Sequence, residues 1–425
     1  MEAKYLRIAL LSVHSSPLGE LGTKDTGGMS VYIREMAGAL AERGHSIDVF
    51  TRIHDARDPI FVELGEQARI IHLKAGPPTR LSKGEVFIAL PEFIANLEKF
   101  CGDTGNRYDV VFSHYWLSGL VGKHLQQKWQ VPFIMMYHTL GAVKNAVGVG
   151  EKESEVRITS EMESMRDCQL ILVPTEKEKQ NVLKWYQVFP EKIREAPCGV
   201  NLEQFHPVPR DTARQKAGLT DPKILLFVGR IDPLKGLAQL IKALPFLRSH
   251  KGLKLVIIGG DEHSRSETEK LKALAHQLQI QDSITFLGMI KHDQLPDFYS
   301  AADLCIMPSY YESFGLVALE ALACGTPVIA ADVGDLRNII RQGETGYVVE
   351  NNDPEKLGQA IDRFLSGPGK LPESIRRNRA SVVSYSWDRI ADTVLQALYQ
   401  VCGRTGPSSF NMPGVTTREQ AITCP

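Results

Sequence analysis

Two carboxylates eight positions apart, Glu312 and Glu320, lie in the segment of this chain with the clearest chemical content. Glu320 falls in an otherwise apolar stretch, residues 316–323, which predicts a helix buried on every side. Because burying an unpaired ionised carboxylate is costly, Glu320 needs a partner. An internal ion pair or a protonated core acid is one explanation. We favour a ligand that presents hydroxyl groups.

The spacing of these carboxylates limits what they can do together. If both were helical they would be separated by about 12 Å along the axis, too far for an acid/base pair. They suit the two ends of an elongated ligand. Between them, Gly315 opens the helix and admits a phosphate to the free backbone amides of its first turn.

Two cations follow an apolar run, residues 224–228, that predicts a strand: Arg230 and Lys235. A guanidinium and an ammonium at one strand tip suit a diphosphate leaving group, which gathers negative charge as its bond breaks. The alternative is a solvated loop. A lysine near a helix start would be poorly placed there without an anion.

A glycine pair, Gly27-Gly28, precedes the first predicted helix, and His14 follows the first predicted strand. Paired glycines let a ligand approach the positive end of a helix. The signal is weak, since a flexible turn has the same composition. The loop lacks G-x-G-x-x-G, so a nicotinamide dinucleotide is not favoured.

The elements that position these residues alternate between short apolar runs and longer amphipathic stretches, which indicates βαβ units and parallel sheets. The pattern restarts after a proline-containing connector near 201–215. We therefore predict an α/β fold of two doubly wound parallel-sheet domains facing across a cleft, with ligands at the carboxyl ends of the strands. The predicted strands are 6–12, 47–51, 69–73, 110–113, 132–137, 169–173, 224–228, 253–258, 284–287, 304–307 and 328–330.

The predicted boundaries are an N-terminal domain over 1–204 and a C-terminal domain over 205–385. A helix over 386–402 is expected to pack back on the first domain, followed by a disordered tail over 403–425 rich in Gly, Pro, Ser and Thr.

Composition excludes several classes of protein. A formal net charge of −1 over 425 residues gives no signal for nucleic acid, and the seven cysteines form no C-x-x-C pair. We expect a cytoplasmic protein without a cleaved leader, a transmembrane segment or a structural zinc. No cluster of His, Asp and Glu indicates a catalytic metal.

Taken together, these motifs resemble the retaining GT-B glycosyltransferases of family 4, over residues 5–400. The resemblance implies two Rossmann-like domains, an acceptor-binding one over 1–204 and a nucleotide-sugar-binding one over 205–385. It also implies that Arg230 and Lys235 bind the donor diphosphate, Glu312 the transferred sugar and Glu320 the ribose. His138 matches a family histidine beside the donor sugar, although a satisfied histidine at a strand end would look the same. The remaining donor-binding positions are Gly28, Ser313, Phe314, Gly315 and Leu316.

The first half is most similar to the branch of the family that glycosylates inositol phosphate. By that resemblance the acceptor phosphate is bound by Lys83, Tyr115, Thr139 and Arg157, and the ring by His14, Asp25, Gly27, Gly28, Met29 and Ser30. Lys83 and Arg157 could instead be solvated helix charges, and Tyr115 and Thr139 packing residues. Ser30 replaces an asparagine of that branch. The sucrose-phosphate synthases rank second because they carry Gly-Gly-Gln where this chain has Gly-Gly-Met.

The resemblance implies transfer of a hexosyl or N-acetylhexosaminyl group, with retention, from a UDP-sugar to a phosphorylated polyol or sugar. No cofactor is required for catalysis. Relatives hold a non-catalytic Mg²⁺ through groups corresponding to Phe298, Tyr299, Ala301 and Thr326. A catalytically silent sugar-nucleotide-binding protein and a sugar-nucleotide epimerase are the alternatives from other classes. The sequence leaves a homodimer open.

Overall fold

The computed structural model describes residues 5–19, 21–22, 26–247, 252–367 and 370–404. Its first half contains an eight-stranded sheet in the order β3-β4-β2-β1-β5-β6-β7-β8, parallel except where β3 pairs with β4. The strands are β1 (Arg7–Leu11), β2 (Ser46–Arg52), β3 (Phe61–Glu63), β4 (Ala68–Leu73), β5 (Val110–His114), β6 (Phe133–Met136), β7 (Leu170–Val173) and β8 (Ile193–Glu195).

Six α-helices cover this sheet. They are α1 (Gly28–Glu42), α2 (Lys83–Thr104), α3 (Tyr115–Trp129), α4 (Gly141–Val147), α5 (Glu155–Asp167) and α6 (Glu176–Tyr186). Several begin where the sequence supplies a cap. Ser82 and Glu85 form a capping box at α2, and Thr175 accepts from the Glu178 amide at α6.

The second half contains a six-stranded parallel sheet in the order β11-β10-β9-β12-β13-β14. Its strands are β9 (Lys223–Val228), β10 (Leu253–Ile258), β11 (Ile284–Gly288), β12 (Leu304–Met307), β13 (Val328–Ala331) and β14 (Gly346–Val349). The helices are α7 (Arg210–Ala217), α8 (Leu237–Ala243), α9 (Arg265–Gln277), α10 (Leu295–Ala301), α11 (Leu316–Ala323), α12 (Leu336–Ile339), α13 (Pro354–Leu365), α14 (Pro372–Ala380) and α15 (Trp387–Val401).

Strand burial explains why the sequence pattern was legible. Residues 224–227 of β9 are almost fully buried, as are the four residues of β12. Helices cover both faces of such strands, so they read as unbroken apolar runs. The predicted α/β fold with two parallel sheets is confirmed, and every predicted strand is present with its bounds shifted by at most two residues.

Three short strands, β3, β8 and β14, were not predicted. Each has only three or four residues, and β3 is an antiparallel edge strand with mostly exposed side chains. Length and exposure remove the hydrophobic signal that identified the central strands.

The last helix, α15, packs on α1 of the first half. Arg43 Nε lies 2.7 Å from Asp392 Oδ1, and the Trp387 ring meets the Tyr32 ring edge to face at 5.4 Å between centroids. Residues 405–425, most of the segment expected to form a disordered tail, lie outside the described residues.

The strand order reverses its direction of progression twice, between β1 and β5 and between β9 and β12. Ligands of open parallel sheets bind at such switch points, outside the carboxyl ends of the strands. The loops that follow these four strands carry His14, Tyr115, Arg230 and Glu312.

Candidate active site

A cavity of about 300 Å³ lies between the two halves and is lined by both switch points. Nearly all predicted site residues face it: His14, Gly27, Gly28, Met29, Lys83, Tyr115, His138, Thr139, Arg157, Arg230, Lys235, Glu312, Ser313, Phe314, Gly315, Leu316 and Glu320. These seventeen residues come from ten separate stretches of the chain and line one cavity.

Two predicted residues are not placed on this wall. Asp25 lies outside the described residues. Ser30 is fully buried, and its hydroxyl lies 2.9 Å from that of Ser15 rather than facing the cavity. Met29, the residue before Ser30 in α1, lines the cavity instead. The assignment of Ser30 to ring binding therefore has no direct contact to support it.

Lys235 and Glu312, both from the second half, form an ion pair in the wall of the cavity. Lys235 Nζ lies 2.6 Å from Glu312 Oε1, which also accepts from Ser309 Oγ at 2.8 Å. The loops meet this closely because residue 236 is glycine: a Cβ there would lie 1.7 Å from the Pro308 carbonyl oxygen. Its φ of +67° is also one that L side chains rarely adopt. Arg230, from the same loop, lines the cavity beside the pair.

Two helices begin at the cavity without a side-chain cap. At α1 the N-cap is Gly27, and at α11 it is Gly315; neither helix has an acidic residue in its first turn. Leu316 lies so close to Gly28 that a Cβ on the glycine would be 3.1 Å from Leu316 Cδ1. Two positive helix ends thus meet across the cleft, an arrangement suited to phosphate.

Glu320 has hydrogen-bonding partners within the protein, contrary to the expectation that a ligand supplies them. Tyr299 donates its hydroxyl to Glu320 Oε2 at 2.7 Å, and His292 Nε2 lies 2.9 Å from Oε1. Gln204 Nε2 donates to the His292 carbonyl oxygen at 2.9 Å and lies 3.3 Å from Nδ1, which leaves the proton on Nε2. A ligand hydroxyl is therefore not needed to explain this carboxylate, although it lines the cavity and keeps unused lone pairs.

Two histidines meet where β5 and β6 end. His114 Nδ1 lies 2.8 Å from His138 Nε2. Burial lowers the pKa of His138 to about 3 and lowers that of His114 as well, so both rings are neutral at pH 7. His138 also has a φ of +60°, a conformation that a non-glycine residue adopts only where its surroundings impose it.

The Tyr115 ring is the centre of a cluster of basic side chains and one imidazole on the wall that the first half supplies. His14 stacks on it at 4.2 Å between centroids, Arg157 Cζ lies 4.8 Å from its centroid and Lys83 Nζ lies 5.8 Å away. Tyr115 has a φ of +74°, which again marks imposed backbone strain. The ring holds two cations and an imidazole against one wall, so it is more than a packing residue.

Arg157 is buried, which excludes the alternative of a solvated helix charge. Its side chain is 2% exposed, with Nε 2.8 Å from Glu161 Oε1 and Nη2 3.0 Å from Thr139 Oγ1. The Glu161 carboxylate in turn accepts from the Tyr186 hydroxyl and the Gly141 amide. The guanidinium is therefore held in one orientation, with Thr139 beside it.

Lys144 and Glu153 were missed as site residues. Lys144 lines the cavity and pairs with Glu153, whose Oε1 also lies 2.9 Å from Arg157 Nη1. Lys144 lies five residues after Thr139, which was assigned to the acceptor phosphate, so its charge was a usable signal. Glu153 follows a glycine-rich loop whose path the sequence does not determine.

A tyrosine joins the two halves beside the cavity. Tyr311 donates its hydroxyl to Glu178 Oε1 at 2.8 Å and accepts from the Leu140 amide at 3.2 Å. Burial raises the pKa of Glu178 to about 7. Tyr311 precedes Glu312, and Leu140 follows Thr139. One side chain therefore connects the loop that carries Glu312 to the segment that carries Thr139.

The second half also supplies an apolar wall that the motifs did not indicate, formed by Ile258, Met289, Ile290, Leu295 and Met307. Within the described residues, no group of three or more His, Cys, Asp and Glu is arranged to hold a metal ion. Across the same part of the chain, no helix combines the length and apolar character needed to cross a membrane.

Two Rossmann-like halves that face each other across a cleft form the architecture of the GT-B glycosyltransferases. Sequence comparison agrees: residues 26–204 match the family described as Glycosyltransferase Family 4, and residues 209–382 match Glycosyl transferases group 1. The chain belongs to this glycosyltransferase family and is an enzyme of that class.

Individual relatives extend the agreement. A D-inositol 3-phosphate glycosyltransferase of Acidothermus cellulolyticus is 39% identical over 92% of this chain and 89% of its own. The sucrose-phosphate synthase of Thermosynechococcus elongatus superposes with a TM-score of 0.86 at 35% identity, covering 94% of this chain and 99% of that one. Anabaena HepE, solved with UDP and glucose, shares the fold at a TM-score of 0.73 and 17% identity, covering 93% and 99%.

Proposed function

We propose that this enzyme transfers a hexosyl or N-acetylhexosaminyl group from a nucleoside diphosphate sugar to a phosphorylated polyol or sugar, with retention of anomeric configuration. The observation that carries the proposal is that two groups of cations, one from each half, line a single cavity. Arg230 and Lys235 come from the second half, and Lys83, Lys144 and Arg157 from the first. One group serves the leaving diphosphate and the other the acceptor phosphate.

The donor end suits a nucleoside diphosphate for three reasons. Arg230 offers a fork and Lys235 a point charge, and charge on the departing phosphates grows as the glycosidic bond breaks. The uncapped N-terminus of α11 adds free backbone amides. The apolar wall supplies a surface for a base, and UDP is the nucleotide we expect.

The acceptor end suits a phosphate of charge near −2. Lys83, Lys144 and Arg157 bring three positive charges, of which Glu153 and Glu161 compensate two, and Thr139 adds a hydroxyl. Curated relatives named for inositol 3-phosphate make that the first acceptor to test. A solved relative that is a sucrose-phosphate synthase makes fructose 6-phosphate the second.

Retention by front-face substitution fits the carboxylates at hand. Among the described residues that line the cavity, the carboxylates are Glu312 and Glu320, and both are engaged by Lys235 and by Tyr299 with His292. Neither is presented as a free nucleophile for a double displacement. In the proposed step the acceptor oxygen attacks the anomeric carbon on the face that the diphosphate leaves. The departing phosphate oxygen takes the acceptor proton, while Lys235 and Arg230 stabilise the leaving group.

A neutral His138 contributes position rather than acidity. Because its pKa is about 3, the ring carries no acidic second proton at pH 7. One ring nitrogen is engaged by His114, so the other accepts or donates a single hydrogen bond near the sugar. Closure of the two halves around both substrates would exclude water and limit hydrolysis of the donor.

The test is a matrix of UDP-, GDP- and ADP-sugars against D-inositol 3-phosphate, fructose 6-phosphate and the same acceptors without phosphate, with product mass as the readout. We expect product with phosphorylated acceptors and an anomeric coupling constant by NMR that matches the donor. Turnover only with unphosphorylated acceptors would remove the role given to Lys83, Lys144 and Arg157. An inverted product would remove the front-face mechanism.

A further inference from the structure

The last turn of α10 ends in a cage of oxygen atoms filled by a lysine. Lys370 Nζ donates to the carbonyl oxygens of Ser300 at 3.0 Å and Ala302 at 3.3 Å, and to Thr326 Oγ1 at 2.7 Å. The Thr326 hydroxyl donates its own hydrogen bond to the Tyr299 carbonyl oxygen, which leaves Oγ1 free to accept from the lysine. Burial lowers the pKa of Lys370 to about 7, whereas the three acceptors favour the charged form, because they match the three N–H donors of an ammonium group and a neutral amine has two.

This cage overlaps the positions where, by the resemblance, relatives can hold Mg²⁺, and the residues present do not fit that ion. Of those four positions, 298, 299, 301 and 326, the ammonium contacts Thr326, and its other two acceptors are the carbonyl oxygens of the neighbouring residues Ser300 and Ala302. A divalent ion bound to these oxygens would lie about 3 Å from a positive charge, without intervening solvent to screen the repulsion. Oxygen ligands attract either cation, but the cage has room for one.

We infer that Lys370 is an intramolecular substitute for the divalent cation, so that this enzyme needs no Mg²⁺ to hold α10 in place. A lysine is well suited to this position, because the carbonyl end of a helix carries partial negative charge and leaves acceptors unpaired.

The consequence reaches the donor site through α10. Tyr299 lies in the last turn of this helix and donates to Glu320, while His292 on the segment just before the helix holds the other carboxylate oxygen. An ammonium that fixes the carbonyl end of α10 therefore also fixes Glu320. Lys370 is a positioning residue that does not touch the cavity.

The experiment compares the wild type with Lys370→Ala and Lys370→Met by thermal unfolding in EDTA and in millimolar MgCl₂, with bound metal measured by elemental analysis. The wild type should contain no stoichiometric Mg²⁺ and show the same Tm in both buffers. Lys370→Ala should unfold a few degrees lower in EDTA and recover part of that loss in MgCl₂, because the emptied cage accepts the ion. Lys370→Met, which fills the space with a neutral chain, should unfold lower without recovery.

Lys192→Ala is the matched control. Lys192 Nζ also donates to two carbonyl oxygens at the end of α5, those of Arg166 at 2.6 Å and Cys168 at 2.9 Å, but it has no third acceptor among the described residues. Its Tm should not respond to MgCl₂. A wild type that loses stability in EDTA or carries one Mg²⁺ per chain would overturn the inference. So would a Lys370→Ala protein whose Tm and metal content are unaffected by Mg²⁺. If that variant does not fold, the wild-type measurements still decide.

Discussion

An ammonium and a carboxylate share the donor end of the cavity, and their pairing explains how the site is kept ready without a substrate. Lys235 and Glu312 neutralise one another at 2.6 Å while both are largely buried. When a diphosphate arrives, Lys235 can turn toward it with little reorganisation, which is the condition for efficient electrostatic stabilisation. The pair would then release Glu312 toward the transferred sugar.

Lys235→Ala should reduce kcat by more than 100-fold, a loss of about 3 kcal/mol or more of transition-state stabilisation. The reason is that the charge acts on the leaving phosphates, where negative charge grows during the reaction. Initial rates at saturating donor measure it. Lys270→Ala, which removes an exposed lysine paired with Glu267, is the control and should leave kcat unchanged. Wild-type turnover by Lys235→Ala would contradict the assignment.

Glu153 presents a sharper question at the acceptor end, because its carboxylate lies among the cations that would bind phosphate. Burial alone would raise its pKa, but the charges of Arg157 and Lys144 outweigh burial and lower the pKa to about 2. The group is therefore ionised throughout the working range. Asn145 holds its backbone at both the amide, 2.7 Å, and the carbonyl, 3.1 Å, so the carboxylate stays in place.

Glu153→Gln should lower the KM for a phosphorylated acceptor several-fold, about 1 kcal/mol, because one negative charge facing the phosphate is removed. The KM for the donor should not change. Steady-state kinetics with each substrate varied provides the measurement, and Glu163→Gln on the outer face of α5, paired with Lys123, is the control. A higher acceptor KM would mean that Glu153 serves to orient Arg157 instead.

At the scale of elements, the central strands and the site-bearing loops were predictable because they carry strong local signals. β9 and β12 are unbroken apolar runs, and the loops after them begin with glycine or end in charged residues of recognisable spacing. The internal partners of Glu320 were not predictable. Tyr299 and His292 are polar residues at ordinary positions, and only the packing of α10 against α11 brings them to the carboxylate.

The same limit applies to Arg157 and Ser30. Each was assigned by its place in a motif, and the burial of each depends on which neighbours the fold supplies. Glu161 and Tyr186 hold Arg157 in the wall of the cavity, whereas Ser15 draws the Ser30 hydroxyl away from it. The motifs therefore identified segments that line the cavity but could not decide which of their side chains face it.

Helix α11 tests how far one glycine determines the donor site. Gly315 has a φ of +129°, and a Cβ there would lie 2.7 Å from Leu336 Cδ2. Gly315→Ala should cost roughly 1–3 kcal/mol of stability and raise the donor KM, since the free amides of the first turn would shift. Denaturant unfolding and donor kinetics measure both effects. Gly38→Ala, in the interior of α1 with nothing within 4 Å of the added carbon, should be neutral or stabilising.

On the scale of the whole molecule, polar side chains connect the two halves, and one of them, Tyr311, also lines the cavity. Tyr311 from the second half reaches Glu178 and the Leu140 amide of the first, and Lys177 Nζ donates to the Asp332 carbonyl oxygen at 2.9 Å. Arg80 Nη1 of the first half also lies 3.4 Å from Asp261 Oδ2 of the second half. The position of one half relative to the other therefore sets the geometry of the donor loop and the acceptor loop together.

The buried Glu178 makes this contact sensitive to pH. Because its pKa is about 7 in the folded protein and near 4.5 when unfolded, the folded state holds the extra proton between these values. Its contribution to stability is complete below pH 4.5 and is lost as the pH rises through 7. The full span corresponds to about 3 kcal/mol. Tyr311 can donate to either protonation state, so the cost at high pH arises from burying the charge.

Glu178→Gln keeps an acceptor for Tyr311 and removes the titration. The Tm of this variant relative to the wild type should therefore rise between pH 5 and pH 8, with most of the change between pH 5 and pH 7. Thermal unfolding across that range measures it, and Glu269→Gln, an exposed carboxyl paired with Lys272, should show no such rise. A flat difference for Glu178→Gln would mean that the carboxyl is already ionised at pH 5 in the folded protein. The contact between the halves would then depend on a buried charge that Tyr311 and the Asn181 side chain stabilise fully.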